Sequence, residues 1–189
     1  MARTYSTMSY SAGEDLIDFT LLDVISGKER SLSSYIEGSR GSVVMFICNH
    51  CPYVKHIWSE LLVVIQEYQA KGISFVAINS NDVENYPEDS PLHMKALFTE
   101  SGLVIPYFFD ETQEVAKKYD AACTPDFYLF SKERKLFSCG RFDESNPKNN
   151  EKVTGKDLRS CLDKILKGEK VLKEDQPPSI GCNIKWKTS

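Results

Sequence analysis

Two almost unbroken apolar runs dominate the pattern of hydrophobic and polar positions. The first covers residues 42–48 and the second covers residues 73–79. Runs of this kind are typical of strands that are covered on both faces of a sheet. Between them, apolar residues recur at helical spacing over residues 52–71, and Gly72 follows. The pattern therefore predicts a strand, a helix and a second, parallel strand joined by a right-handed crossover.

The rest of the pattern adds antiparallel strands and further helices around this unit. We predict a hairpin over 18–32, helices over 92–101, 111–119 and 154–168, and strands over 105–109, 127–130 and 135–139. This order indicates an α/β fold with a mixed central sheet and helices on both faces. We expect a flexible N-terminal lead over residues 1–13, one domain over 14–168, and a C-terminal tail over 169–189 that packs on the domain.

Composition and charge argue against several classes of protein. The chain has 189 residues and a net charge of −4, from 23 basic and 27 acidic side chains. General nucleic-acid binders and anionic-membrane binders need a positive surface instead. No apolar run approaches the roughly 20 residues of a membrane-spanning helix, and we do not expect the Ser/Thr-rich N-terminus to act as a secretory signal, because it has no apolar core. We therefore expect a cytoplasmic protein with no nucleic-acid or membrane partner.

Six cysteines are the unusual feature of the composition. Only Cys48 and Cys51 are close in sequence, and the other four are scattered over positions 123, 139, 161 and 182. Because we expect no secretory signal, we also expect no framework of structural disulfides. Cys139 and Cys161 fall in a predicted strand and on the apolar side of a predicted helix, and we expect both in the core.

The spacing of Cys48 and Cys51 suits thiol chemistry. The pair lies between a buried strand and a helix start, where the positive helix end and His50 favour a thiolate. Cysteines spaced in this way can close a small disulfide ring and so undergo a two-electron cycle. A zinc site is one alternative, with His56 as a conceivable third ligand, but zinc usually needs a second cluster. Inert core cysteines are another. We favour redox chemistry and expect no metal and no bound cofactor.

Three further features are candidates for the same site. Thr124-Pro125 begins a strand, where proline is usually a turn residue; a cis bond would make it a specific geometric feature. The main chain of Thr124 could then pair with an incoming extended chain or cap the dithiol. Cys182, in a loop-like tail, is either a resolving thiol or a small packing residue. Residues 79–82 should lie at the same sheet edge as Cys48, either lining a cleft or acting as turn and cap residues.

Together, these motifs resemble the thioredoxin-like superfamily. The matching features are Cys48-Asn49-His50-Cys51 after a buried strand, the later Thr124-Pro125 step, and the hairpin and helix that follow it. The N-terminal hairpin, the segment 79–82 and the tail 179–182 resemble the redoxin branch, which holds alkyl hydroperoxide reductases and thiol-specific antioxidant proteins. Within it, the chain is most similar to a peroxiredoxin-like subgroup of mostly uncharacterised proteins. The resemblance covers residues 14–187 and implies a three-layer thioredoxin-like fold.

Departures from thioredoxin itself affect the expected chemistry. Thioredoxins carry tryptophan before the first cysteine and Gly-Pro between the pair, whereas this chain has Ile47 and Asn49-His50. Ser42 stands where thioredoxins have a buried aspartate, so another base or water must accept the proton. A histidine between the cysteines resembles the more oxidising exchange proteins. His50 should raise the reduction potential because a nearby cation stabilises the thiolate.

Departures from peroxiredoxins weaken the peroxidase interpretation without removing it. Those enzymes carry Pro-x-x-x-Thr-x-x-Cys, and counting back from Cys51 places Cys48 at the threonine position and Val44 at the proline position. No arginine lies within 123–130. The step from Cys51 to Pro52, however, matches the Cys-Pro of peroxiredoxins, and proline suits the first helical position.

The sequence thus predicts a monomeric or weakly dimeric thiol-disulfide oxidoreductase. Cys48 is expected to attack a protein or small-molecule disulfide, and Cys51 to resolve the mixed disulfide. Thr124 and Pro125 would shape the substrate groove, His50 would tune the potential, and an external thiol reductant would close the cycle. One alternative is a thiol peroxidase that uses Cys51 on a peroxide, with Cys48 or Cys182 resolving. Another is a non-catalytic thioredoxin-like binding module.

Overall fold

The structure, a computed structural model, describes residues 3–169 and 177–188. Its strands are β1 (Arg3–Tyr5), β2 (Thr20–Asp23), β3 (Lys28–Ser31), β4 (Gly41–Phe46), β5 (Ile73–Asn79), β6 (Tyr107–Phe109), β7 (Cys123–Thr124), β8 (Asp126–Ser131), β9 (Leu136–Gly140) and β10 (Ile180–Asn183). Its helices are α1 (Leu32–Tyr35), α2 (Pro52–Gln69), α3 (Pro91–Ser101), α4 (Glu114–Lys118) and α5 (Lys156–Lys167), with a 3-10 turn at Pro87–Asp89. Parts of the predicted lead (1–2) and tail (170–176 and 189) lie outside the described residues.

A seven-stranded mixed sheet forms the centre of the domain, in the order β3-β2-β6-β5-β4-β8-β9. Strand β5 pairs in parallel with β4 and with β6, and the remaining pairs are antiparallel. The α/β fold with a mixed sheet is therefore confirmed. The predicted strand, helix and parallel strand correspond to β4, α2 and β5. Among the described residues, no helix combines the length and apolarity that a membrane crossing requires.

The central strands are apolar because both faces of the sheet are covered. In β4, Val43 and Met45 face a core that includes residues of α2, α3 and α5. Val44 and Phe46 face a second core that includes residues of α1 and α4. A strand that is buried on both sides needs apolar side chains at successive positions, which explains the unbroken run in the sequence.

The N-terminal lead, which we expected to be flexible, instead contributes to the fold. Strand β1 pairs antiparallel with β10, which also pairs with β7, so a second, three-stranded sheet has the order β1-β10-β7. Tyr10 is buried, and its ring centroid lies 5.7 Å from that of Tyr119. Strands β1 and β10 are too short to show a periodic pattern of apolar residues. Sequence periodicity therefore missed both strands.

The sheet topology brings several chain segments together at one edge. The turn from Cys48 to Cys51 follows the carboxyl end of β4, and residues 79–82 follow that of the adjacent parallel strand β5. Strand β7 reaches the same region with Thr124. This edge, where functional sites of open α/β sheets commonly lie, holds the candidate site.

Candidate active site

The Cys48–Cys51 turn joins the central strand β4 to helix α2. Cys51 is the N-cap of the helix and Pro52 is its first residue, a position where the missing proline N–H costs no hydrogen bond. Both cysteines are almost inaccessible to solvent, with Cys48 exposed by 1% and Cys51 by 0%. The helix has 18 residues, and its positive N-terminal end lies beside the pair.

Thr124 contacts both sulfur atoms. The peptide bond between Thr124 and Pro125 is cis. The Cys51 sulfur lies 3.1 Å from the main-chain oxygen of Thr124, and the Cys48 sulfur lies 3.4 Å from the Thr124 hydroxyl oxygen. The structure therefore brings together Cys48, Cys51, Thr124 and Pro125, which the sequence placed in one site.

Cys51 has the sulfur that is best stabilised as a thiolate. Hydrogen bonds from the thiols of Cys182 and Cys48 lower the pKa of Cys51 below its usual range, and they outweigh the opposing effect of burial. The Thr124 hydroxyl and the Val54 amide lower the pKa further. The Thr124 carbonyl opposes them, because it accepts a hydrogen bond only from the protonated sulfur. The balance of these contacts favours negative charge on Cys51.

Cys48 and Cys182 are correspondingly held as thiols. Each donates a hydrogen bond to Cys51 and is buried, and both effects raise its pKa well above the usual range. The negative charge of Asp89 raises the pKa of Cys48 further. These contacts favour Cys51 rather than Cys48 as the attacking sulfur, the reverse of our sequence-based assignment. The sequence could not show that Cys182 and Asp89 lie next to the pair.

Asp89 is a site residue that the sequence analysis missed. Its side chain is fully buried beneath the turn. One carboxylate oxygen accepts the main-chain N–H groups of Asn49 at 2.8 Å and His50 at 3.1 Å. The other accepts Nδ1 of His50 at 2.5 Å and the amide of Asn81 at 2.8 Å. Only the two prolines that flank it, in an otherwise polar insertion, hinted that this segment makes a specific turn.

His50 lies close to the dithiol, as predicted. The hydrogen bond to Asp89 raises the pKa of His50 above its usual value, against the opposing effect of burial. The imidazole stacks on the ring of Tyr86, with 5.4 Å between centroids, and its Nδ1 lies 4.0 Å from the sulfur of Cys48. His50 can therefore place positive charge beside Cys48.

The segment that follows β5 makes hydrogen bonds to Asp89 and to the C-terminal tail. The side-chain amide of Asn79 donates to the main-chain oxygen of Asp89 at 2.7 Å. Asn81 donates to the Asp89 carboxylate and accepts the main-chain N–H of Lys185 at 2.8 Å. These residues lie at the expected sheet edge, where they hold Asp89 and the tail in place.

The remaining cysteines separate into two groups. Strand β10 brings Cys182 into contact with Cys51, so the tail cysteine belongs to the site. Cys123 is next to Thr124, but burial raises its pKa, and its sulfur lies 3.9 Å from the Pro125 oxygen. Cys139 is buried in the second core, and Cys161 packs against the first.

The site also contains a group of possible metal ligands. Ligand atoms of Cys48, His50 and Asp89 lie within 4.8 Å of one another. Both oxygens of Asp89 already accept two N–H donors each. Nδ1 of His50 is likewise bonded to Asp89, so these atoms would have to give up hydrogen bonds in order to bind a metal ion.

Two solved structures are similar to this chain over almost its whole length. An uncharacterized conserved protein from Geobacillus kaustophilus is 50% identical with a TM-score of 0.94, and the match covers 100% of this chain and 98% of that chain. A hypothetical protein from Sinorhizobium meliloti is 42% identical with a TM-score of 0.92, over 98% of this chain and 100% of that chain.

More distant structures share the fold. A putative thiol:disulfide interchange protein DsbE from Chlorobium tepidum is 18% identical with a TM-score of 0.65, over 84% of this chain and 99% of that chain. No curated protein sequence matches the chain significantly. The sequence model of the AhpC/TSA family matches residues 12–138. With the dithiol at the helix start and the cis Thr124–Pro125 bond beside it, the chain belongs to the AhpC/TSA family of thioredoxin-fold redox proteins.

Proposed function

We propose that the protein is a thiol-disulfide oxidoreductase that cycles Cys48 and Cys51 between dithiol and disulfide. The observation that carries this proposal is the convergence of both sulfurs on Thr124, with Cys51 at the start of α2. Membership of a redox family and the fold shared with a putative thiol:disulfide interchange protein support it.

The catalytic cycle begins at Cys51. Its thiolate attacks one sulfur of a substrate disulfide, forms a mixed disulfide and releases the other substrate sulfur as a thiolate. Cys48 then loses its proton and attacks the Cys51 sulfur, which forms the Cys48–Cys51 disulfide and releases the second substrate thiolate. His50 lies 4.0 Å from the Cys48 sulfur and offsets the negative charge that develops there.

The proposed cycle depends on two reactants that the protein itself does not supply. An external thiol reductant has to return the Cys48–Cys51 disulfide to the dithiol, and a protein or small-molecule disulfide is the substrate. Pro125 and the side chain of Thr124 shape the groove in which that substrate binds, whereas the main-chain edge at Thr124 is paired with β10. A cytoplasmic location is part of the proposal, because a reducing compartment keeps the thiols available.

A thiol peroxidase is the second candidate function. The observation that favours it is the lowered pKa of Cys51, together with Pro52 at the first helical position. A thiolate in this place attacks a peroxide oxygen and becomes a sulfenic acid, which Cys48 then converts to the disulfide with loss of water. The two functions share the nucleophile and differ in the oxidised substrate.

Catalysed insulin reduction with dithiothreitol as the reductant tests the proposal. Cys51→Ser should lower turnover by at least about 100-fold, because no other site thiol is held as a thiolate. Cys161→Ser, a matched change outside the site, should leave turnover unchanged. Unchanged turnover in Cys51→Ser would contradict the proposal. Turnover with hydrogen peroxide alone, lost in Cys51→Ser, would support the peroxidase, and activity with neither substrate would indicate a binding module.

A further inference from the structure

The C-terminal strand occupies the main-chain edge beside the dithiol. Strand β10 pairs antiparallel with β7, with Cys182 opposite Thr124 and Asn183 opposite Cys123. An exposed strand edge next to reactive thiols is a place where an extended substrate chain would add as a further strand. In this protein the chain's own tail fills that edge.

Gly181 lets the tail approach this edge as closely as a main chain can. A Cβ atom at position 181 would lie 2.0 Å from the Thr124 oxygen and 2.6 Å from the Thr124 carbonyl carbon. No side chain fits there without a shift of the backbone. Glycine usually weakens a strand, so its presence in β10 marks a site of close main-chain approach.

The tail is also anchored beyond the strand. The N–H of Lys185 donates to the Asn81 side chain at 2.8 Å. The Lys185 oxygen accepts the N–H of Asp82 and the side-chain amide of Gln113, each at 2.8 Å. On its other side, β10 pairs with β1, where Arg3 is opposite Cys182. These contacts fix the position of the Cys182 side chain, which is only 2% exposed.

We propose that Cys182 is a third redox residue, which exchanges with Cys51 as an internal substrate held on β10. The contact between the Cys182 and Cys51 sulfurs and the fixed strand next to Thr124 carry this inference. It rests on the proposed function, since it needs Cys51 as the reacting sulfur. The tail thereby places a thiol where the sulfur of a docked substrate would lie.

The exchange between Cys182 and Cys51 needs no external oxidant or reductant. Starting from the Cys48–Cys51 disulfide, Cys182 loses its proton and attacks the Cys51 sulfur. The Cys51–Cys182 bond forms, the Cys48–Cys51 bond breaks, and Cys48 leaves as a thiolate that takes up the proton. One disulfide is lost and one is gained, so the oxidation state of the protein is unchanged. In the same way, Cys182 can displace the substrate thiolate from a mixed disulfide on Cys51.

Oxidised glutathione is a suitable probe, followed by an acid quench, alkylation and mapping of disulfides by mass spectrometry. In Cys48→Ser, Cys51 should first carry glutathione and then form a disulfide with Cys182. In a variant that combines Cys48→Ser with Cys182→Ser, the glutathione adduct on Cys51 should persist. Persistence of the adduct in Cys48→Ser, at the level of the combined variant, would overturn the inference.

Gly181→Ala tests whether the docked strand is responsible. Combined with Cys48→Ser, it should slow formation of the Cys51–Cys182 disulfide by at least about tenfold, because the added Cβ pushes β10 away from Thr124. An unchanged rate would overturn the role of the strand. Thermal unfolding of the variant checks that the domain remains folded.

The glutathione experiment distinguishes failure of the proposed oxidoreductase function from failure of the proposed exchange between Cys182 and Cys51. A glutathione adduct on Cys51 that Cys48 resolves but Cys182 does not would leave the proposed function standing and overturn only the inference. If Cys51 takes up no glutathione in any variant, both proposals are wrong. A Cys51–Cys182 disulfide in a protein without turnover on insulin would support the inference alone.

Discussion

The Asp89 carboxylate binds both the main chain and the ring of His50. One oxygen accepts the His50 N–H at 3.1 Å and the other accepts Nδ1 at 2.5 Å. Two hydrogen bonds to one residue fix both the turn between the cysteines and the orientation of the imidazole. A buried carboxylate so placed also determines how readily His50 keeps its proton beside Cys48.

Asp89→Asn should lower the pKa of His50 toward its ordinary value of about 6.5, because the hydrogen bond from His50 to Asp89 is the main cause of the upward shift. The ring proton signals of His50 in NMR spectra, recorded over pH, measure the change. Glu88→Gln is a matched control, since Glu88 is exposed and adjacent. An identical titration of His50 in wild type and Asp89→Asn would contradict the role given to Asp89.

The same pair should make stability depend on pH. The pKa of His50 is raised by folding, so its contribution is complete below about 6.5 and is lost as pH rises through the folded value. His50→Gln should therefore cost about 1–3 kcal/mol at about pH 6 and less at about pH 9. Urea unfolding at the two pH values measures this difference. A larger cost at the higher pH would show that the sign is wrong.

Asp126 is predicted to limit stability at neutral and higher pH. It is fully buried, and burial raises its pKa to about 7, although hydroxyls of Ser179 and Tyr128 partly offset this effect. An unfolded aspartate ionises near pH 3.9, so the folded state loses stability as pH rises from about 4 to about 7. Burial of the ionised carboxylate then persists as a cost at higher pH.

Asp126→Asn should remove that loss. Relative to wild type, the variant should gain up to about 4 kcal/mol in going from about pH 4 to about pH 8, since each pKa unit corresponds to about 1.4 kcal/mol. The free energy of unfolding in urea at both pH values provides the comparison. If the difference between variant and wild type is the same at both, the carboxyl does not titrate as described.

The Thr124 hydroxyl should help to activate the dithiol. Its hydrogen bond lowers the pKa of Cys51 further and partly offsets the increase in the pKa of Cys48. Thr124→Val keeps the shape but removes the hydroxyl, so the reaction of reduced protein with oxidised glutathione at neutral pH should slow about three- to tenfold. Thr124→Ser keeps the hydroxyl and should react at nearly the wild-type rate. Equal rates in the two variants would argue that only the main chain of Thr124 matters.

The features that the sequence predicted well are local. The apolar runs of β4 and β5, the helix α2 between them and the close spacing of Cys48 and Cys51 are each encoded in a short stretch of chain. Thr124-Pro125 is a site candidate from its proline at a strand start and from the family resemblance, but its contact with Cys48 spans 76 positions and has no local signal.

The features that sequence analysis missed depend on contacts between distant segments. Asp89 reaches the turn from 39 positions away, through a polar insertion without periodicity. Strand β10 contains Gly181, which lowers strand propensity but is needed for the close approach to Thr124. No sequence pattern indicated the contact between Cys182 and Cys51 either, and this contact lowers the pKa of Cys51.

We propose that Cys51, rather than Cys48 or Cys182, carries the thiolate of the site. Ultraviolet absorbance of the reduced protein as a function of pH measures thiolate formation directly and requires no access for a reagent. Wild type and a Cys123→Ser control should show one thiolate that forms well below the ordinary cysteine pKa of about 8.5, and Cys51→Ser should lack it. If that low-pH thiolate is absent from wild type, or persists in Cys51→Ser and disappears in Cys48→Ser, then Cys51 does not carry the thiolate.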